Sequence, residues 1–314
     1  MRGIKFIPDN LEIRFIRKRG FFFVFSIVLV VLSLGVTVSR GLNFGIDFKG
    51  GILIEVRTNG TADIGAMREK LSGLDLGEVN LQEFGAPEDV LIRVRAQGGE
   101  TSELREKNQQ AAVDAVRRAL GEDIEYRRTE VVGPKVSSAL LKDGLWAVGL
   151  AMFAIMAYIW FRFEWQFGLG AVVALIHDVI ATIGVFALMR FEFNLSTVAA
   201  VLTIAGYSIN DTVVVYDRVR ENLRKYKTTP LLETYDMAIN KTLGRTLMTS
   251  VTTLLALLAL YFLGGAVIRD FAFAMIWGVL VGTYSSVCLA VPLLLYVKVK
   301  RRSGDGGIEA KSTG

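Results

Sequence analysis

Six runs of uncharged residues divide the chain. Arg19 and Arg40 bracket 20 such residues, Asp143 and Arg162 bracket 18, and Arg245 and Arg269 bracket 23. Glu164 and Arg190 bracket 25, interrupted only by His177 and Asp178. Glu192 and Asp217 bracket 24, interrupted only by Asp211, and Asp270 and Lys298 bracket 27. A helix needs about 20 apolar residues to cross roughly 30 Å of hydrocarbon. In lipid the backbone must satisfy its own polar groups, so each run predicts a helix. The expected spans are residues 20–39, 144–161, 166–189, 193–216, 246–268 and 271–297. Six buried helices of a soluble core would not need so long an uncharged run every time. The first run has the basic flank of a signal peptide, but it is long and lacks a small-residue cleavage site, so it is expected to be retained.

Between the first two runs the pattern changes. Ile52, Ile54 and Val56 alternate with Leu53, Glu55 and Arg57, the period of a strand. Thr61 can cap a helix whose Ile64, Met67, Leu71 and Leu74 share a face. Residues 79–84 form a short strand, and Val90, Ile92 and Val94 mark another. Thr101 or Ser102 can begin a second helix with Val113, Val116 and Leu120 as its stripe and Gly121 as its stop. Residues 123–132 make a last strand. The order is βαββαβ, a small α+β domain of the ferredoxin-like pattern. The fold expected is thus an α-helical polytopic membrane protein of six spans, with this domain (residues 40–142) between spans one and two. It holds no His, no Cys and no phosphate loop, which marks it as a binding or lever module.

Charge sets the orientation. The first 20 residues carry six Lys or Arg, the connection from Asp217 to Arg245 seven, and the tail from Lys298 five. The two short connections on the other side carry one each, Arg190 and Arg269. Both termini, residues 1–19 and 298–314, are therefore expected in the cytoplasm, and residues 40–142 outside it. That outer segment has 15 basic and 17 acidic residues, so the chain's net +5 reflects membrane topology and not a nucleic-acid surface. The run from Asp217 to Lys225 reads as a solvated, positive helix end. Of 314 residues, 52% are apolar and 21% charged, a modest shift from a soluble chain. One Cys cannot pair within the chain. With one His it cannot build a cluster of three or four metal ligands, so no metal or cofactor is expected.

The candidate chemistry lies in the membrane runs. An ionisable residue at mid-bilayer costs about 2.5–3.5 kcal/mol on insertion scales, which usually signals function. Asp178 falls near the middle of span three, and Asp211 within span four, six residues before Asp217. Arg245 opens span five. Spans four and five run antiparallel, so Asp211 and Arg245 can meet. An Asp beside Arg stays ionised, and one moved away in hydrocarbon binds a proton, a minimal proton switch. Ser208 and Asn210 sit within a turn of Asp211. Thr249 and Thr253 follow Arg245 on one face, so these residues, with Asp178, could line a polar path. The bland alternatives are a static Asp211–Arg245 ion pair, an Arg245 that snorkels to the interface, a structural Asp178 paired with His177, and a hydrogen-bonded core histidine. An intramembrane aspartyl protease would need a Gly-x-Gly-Asp signature, absent here, and Asp178 and Asp211 fall at different depths. No G-x-x-x-x-G-K-[ST] run exists for nucleotide hydrolysis, so an enzyme is not expected.

Four segments carry a family resemblance: GLNFGIDFKGG (41–51), ALIHDVIATIG (174–184), GYSINDTVVVYDRVREN (206–222) and NKTLGRTLMTS (240–250). Over nearly its whole length the chain resembles the SecF family of protein-export membrane subunits; the first segment is shared with SecD. The resemblance implies an RND-like half that pairs with SecD to make twelve spans. It implies action with the SecYEG channel and SecA at the bacterial inner membrane, using protons to draw an unfolded polypeptide outward. The family's functional membrane Asp and Arg fall on Asp211 and Arg245. Gly45, Asp47, Gly50 and Gly51 match the shared signature and read as a structural turn-and-strand feature. Independently of the family, six spans make only half of a repeat-built transporter, so a partner of similar build is expected. Gly264, Gly265, Gly278 and Gly282 are candidates for close helix contacts. The rival readings are half of an RND-type small-molecule or lipid exporter, and a scaffold subunit with a static ion pair.

Overall fold

The computed structural model describes residues 12–121 and 123–297; the expected tail 298–314 and most of the N-terminal segment lie outside them. Among the described residues, six helices are long and apolar enough to cross a membrane. They are α1 (Arg19–Arg40), α5 (Pro134–Arg162), α6 (Trp165–Met189), α7 (Leu195–Lys225), α8 (Leu231–Leu263) and α9 (Ala266–Ser285), the last continued by a π turn (Ser286–Ala290) and α10 (Val291–Leu293). Between α1 and α5 lie β1 (Asn43–Phe44), α2 (Ile46–Lys49), β2 (Gly51–Arg57), α3 (Ile64–Ser72), β3 (Val79–Phe84), β4 (Ala86–Val94), α4 (Ser102–Leu120) and β5 (Glu125–Val132). The strand β6 (Glu192–Phe193) joins α6 to α7.

Several helices outrun their uncharged windows. α5 begins at Pro134, whose missing N–H costs nothing at a first helical position. Lys142 and Asp143 therefore sit inside a helix and not at its edge. α7 continues through Asp217 to Lys225, and α8 starts at Leu231. Charge marks where a helix leaves an apolar medium, not where the helix ends. Arg162 holds both carboxylate oxygens of Asp217, at 2.8 and 2.6 Å, and ties the ends of α5 and α7.

Half or more of the most apolar stretch of α6, α7 and α9 is buried, against less than a fifth for α1, α5 and α8. The interior is thus a three-helix core with three helices around it. Small residues set its tightest contacts. A Cβ on Gly278 would strike the Ile204 side chain on α7, and one on Gly282 would lie 3.1 Å from the Ser208 Cβ. This G-x-x-x-G pair therefore serves packing inside the chain. Gly264 and Gly265 do not pack helices: they form the α8–α9 turn, with Gly264 as C-cap and Gly265 at φ +76°. At Gly184 on α6 a Cβ would come within 2.6 Å of the Ser33 Cα on α1. Gly184→Leu is expected to push α1 off the core at a cost of about 1–3 kcal/mol, read as a lower melting midpoint in detergent. Gly35→Ala, with nothing within 4 Å, is the matched control.

The sheet domain is a four-stranded antiparallel sheet in the order β3-β4-β2-β5. One face packs Ile52, Ile54, Val56, Val90, Ile92 and Val94 against Met67 and Leu71 of α3 and Val113 and Val116 of α4. Asp63, not Thr61, caps α3: its carboxylate accepts from the Ala66 N–H at 2.9 Å. Thr101 caps α4 and Gly121 ends it. The last strand starts two residues later than its pattern suggested, at Glu125. The other sheet face presents Leu53 and Leu91 to Ile46 of α2. The parallel pair β1–β6, Asn43 opposite Glu192 and Phe44 opposite Phe193, has no counterpart in the sequence reading. Two-residue strands are too short to show a period.

Candidate functional site

The site grows from α7. Its start is fixed by a capping box, in which the Asn194 side chain accepts from the Thr197 N–H at 3.0 Å. The helix then runs unbroken past Asp211. That side chain is 3% exposed, and its Oδ2 has no hydrogen-bond partner among the described residues. Arg245 on α8 is near enough to act on Asp211 through its charge. No ion pair joins the two among the described residues, and Arg245 is exposed in this chain taken alone. The Thr246 hydroxyl beside it is buried and also has no partner among the described residues.

The flanking candidates divide into two groups. Thr249 donates to the carbonyls of Arg245 and Thr246, at 3.2 and 2.9 Å, and Thr253 to that of Thr249 at 2.8 Å, so both hydroxyls are held by their own helix. Asn210 is exposed, as are Thr203 on the same helix and Thr252 on α8. Ser208 turns away from this group. Its hydroxyl donates to Asp178 Oδ2 at 2.6 Å.

Asp178 is the centre of a second cluster. It is fully buried, and Oδ2 also accepts from Ser285 at 2.7 Å. Oδ1 meets His177 Nδ1 at 2.9 Å. One carboxylate therefore joins α6, α7 and α9. His177, beside it, keeps a buried Nε2 with no partner among the described residues. Ser286 extends the cluster, at 2.8 Å from the Thr212 hydroxyl and 3.2 Å from the Ser208 carbonyl, to which it donates. Two adjacent serines reach inward because the π turn starts at Ser286 and widens the helix there. Pro292 has no N–H for the Cys288 carbonyl four residues back, which removes an ordinary α-helical bond at this point. Nearby, Tyr216 donates to the Ala290 carbonyl at 3.0 Å. Sequence reasoning missed Ser285, Ser286 and Thr212. The signal was a Ser-Ser pair in an otherwise apolar run.

The glycine-rich segment lies elsewhere, where the sheet domain meets the helices. Gly50 and Gly51 have φ of +72° and +131°, and a Cβ on Gly51 would stand 2.6 Å from the Val94 carbonyl oxygen. Asp47 Oδ2 accepts from the Leu195 N–H at 2.9 Å, at the start of α7. Arg93 on β4 pairs with Glu192 on β6. Burial holds the Glu192 carboxyl above the usual carboxylate range, against the pull of Arg93.

The profile of the family described as "Protein export membrane protein SecD/SecF, C-terminal" matches residues 112–300, and that of the "SecD/SecF GG Motif" matches residues 35–62. A protein translocase subunit SecF from Cereibacter sphaeroides is 47% identical over 304 residues, covering 95% of this chain and 93% of that protein. One from Rickettsia prowazekii is 44% identical over 291 residues, covering 93% of each. The crystal structure of SecDF, a translocon-associated membrane protein from Thermus thermophilus, superimposes with a TM-score of 0.78 at 33% identity. It covers 92% of this chain, which spans only 39% of that longer protein. SecDF in its super-membrane-facing form gives a TM-score of 0.67 at 32% identity.

Proposed function

The chain belongs to the SecF family of protein-translocase subunits, and from this premise we propose that it couples proton movement at Asp211 to polypeptide export. It is a multi-pass membrane protein and an accessory subunit of the Sec translocase, associated with SecD. The reading sets it in the bacterial inner membrane with both termini cytoplasmic and the sheet domain periplasmic, which the distribution of Lys and Arg supports. It acts there with SecYEG and SecA on an emerging unfolded polypeptide, and hydrolyses nothing. The sheet domain is ferredoxin-like on this reading: its antiparallel order β3-β4-β2-β5 and its two helices on one face support that.

The observation that carries the coupling is Asp211 itself. A carboxylate is buried at membrane depth with a free oxygen, and a guanidinium acts on it without clamping it. A static pair would close to hydrogen-bond distance and satisfy both groups. An open pair can gain a proton and lose its attraction in one step. The exposed Asn210 and Arg245 support a second point. Such polar groups are costly against lipid tails, so they belong against a partner. SecD, a subunit of similar build, is the partner that fits.

The test is export of a secretory precursor by sealed membranes with and without a proton gradient. Stimulation by the gradient should vanish in membranes lacking this chain, and return only when the chain and SecD are both restored. Unchanged stimulation without the chain would refute the reading. Sensitivity to toxic compounds with intact secretion would instead mark half of an RND-type exporter.

A further inference from the structure

We propose that residues 45–51 form a rigid transmission joint, in which Asp47 and the Arg93–Glu192 pair are positioning residues that make the sheet domain move as one body with the adjacent end of α7. The proposal rests on the coupling reading above and adds the route by which a shift at Asp211 reaches the sheet domain.

Three anchors converge on this short segment. The first binds it to α7. The first N–H groups of a helix have no partner within it. Asn194 satisfies that of Thr197, and Asp47 reaches across from α2 to satisfy that of Leu195 at 2.9 Å. The Asp47 carboxylate stands at the positive end of the helix dipole, where an anion is favoured. Leu195 and Asp211 lie 16 residues apart on one continuous helix, about 24 Å of rod.

The second anchor binds the segment to β6. The Gly45 N–H donates to the Phe193 carbonyl at 3.0 Å, extending the β1–β6 pairing. The Phe44, Phe48 and Phe193 rings pack together with centroids 5.8 to 6.1 Å apart.

The third anchor binds the sheet. Arg93 projects from β4 and pairs with Glu192, both side chains being less than a fifth exposed. Glycine at position 45 leaves room for the pair as it stands: a Cβ there would fall on the Glu192 carboxylate. At the other end of the segment, Gly50 turns the chain directly into β2, and its position beside the Val132 carbonyl and the Ser137 hydroxyl also seats it on β5 and α5. The segment is therefore tied to α7 and β6 directly, and to the sheet through β2 and the Arg93–Glu192 pair.

The experiment uses full-length chain with SecD in membranes, at matched protein levels. Arg93→Glu and Glu192→Arg should each lower the gradient-dependent part of export about fivefold or more. The double reversal should restore it, because an opposite-charge pair is rebuilt. Asp47→Ala should lower it likewise, whereas Asp47→Asn, which keeps an acceptor oxygen for the Leu195 N–H, should retain most of it. In sealed vesicles the impaired variants should still take up protons, since they are uncoupled and not unfolded. Arg93→Cys with Glu192→Cys, bridged by a short bifunctional maleimide, should leave export intact, because a rigid joint never needs to open. Export that survives both single reversals, a double reversal that restores nothing, or a bridge that stops export would each overturn the joint. Asp211→Asn in the same membranes separates the two ideas. If it has no effect, the coupling reading falls; if it abolishes stimulation while the joint variants do not, the joint alone falls.

Discussion

Asp211→Asn is expected to remove the gradient-dependent part of export while the chain accumulates at its parent level. Asparagine has nearly the shape of aspartate but cannot bind or release a proton. Folding should tolerate it, because Oδ2 has no hydrogen bond to lose and a neutral amide is easier to bury than a carboxylate. Function should not tolerate it. Arg245 would face a dipole in every state, and nothing would change when the gradient is applied. The expected loss is about tenfold or more, corresponding to a coupling free energy of about 1.4 kcal/mol or above. Gradient-dependent export with undiminished stimulation would leave this subunit as a scaffold for protons moving elsewhere.

Asp178→Ala should act on stability. Removing this carboxylate leaves the Ser208 hydroxyl and the His177 imidazole without their partner in a dry interior, and leaves Ser285 with only the Gly282 carbonyl at 3.1 Å. Each orphaned buried group costs about 1–3 kcal/mol in water-soluble proteins. Polar contacts between membrane helices average somewhat less. Together these losses should cost about 2–3 kcal/mol, a large part of a marginal total. Asp178→Asn should be far milder. Its carbonyl can serve both serines, and its amide can donate to His177 once the imidazole carries its proton on Nε2. The measurement is the melting midpoint in detergent together with the amount of chain recovered from membranes. Equal melting for the parent and the alanine variant would show that Asp178 is not the anchor of the three helices.

The two aspartates illustrate what the residue pattern could and could not say. Both were visible because a charge stands out in an apolar run. Their surroundings were not visible. Ser208 lies three residues before Asp211, and proximity in sequence suggested a shared path. The helix turns its side chain toward α6, into the cluster around Asp178. The hydroxyls of Thr249 and Thr253 share a helix face with Arg245, but each folds back on its own backbone. Spacing gives a face and not the rotamer. The six long helices and the strand and helix sequence of the outer segment were legible because their periods repeat over many residues. The pair β1–β6, the Asp47 contact with α7 and the Arg93–Glu192 bridge were not. Each joins positions about 100 to 150 residues apart through one or two side chains, and so leaves no local period.

The pairing of β1 with β6 also orders the birth of the molecule. Asn43 is made just after α1, but its partner Glu192 follows about 150 residues later, which at about 5–20 residues per second means roughly seven to thirty seconds. Every strand of the four-stranded sheet lies between Gly51 and Val132, so that sheet can form while α5 and α6 are still being synthesised. It must wait, folded but undocked, until β6 arrives. Docking onto α7 therefore waits for β6, and a ribosome that stalls before residue 192 leaves a nascent chain with a finished sheet domain and an open seat beneath it.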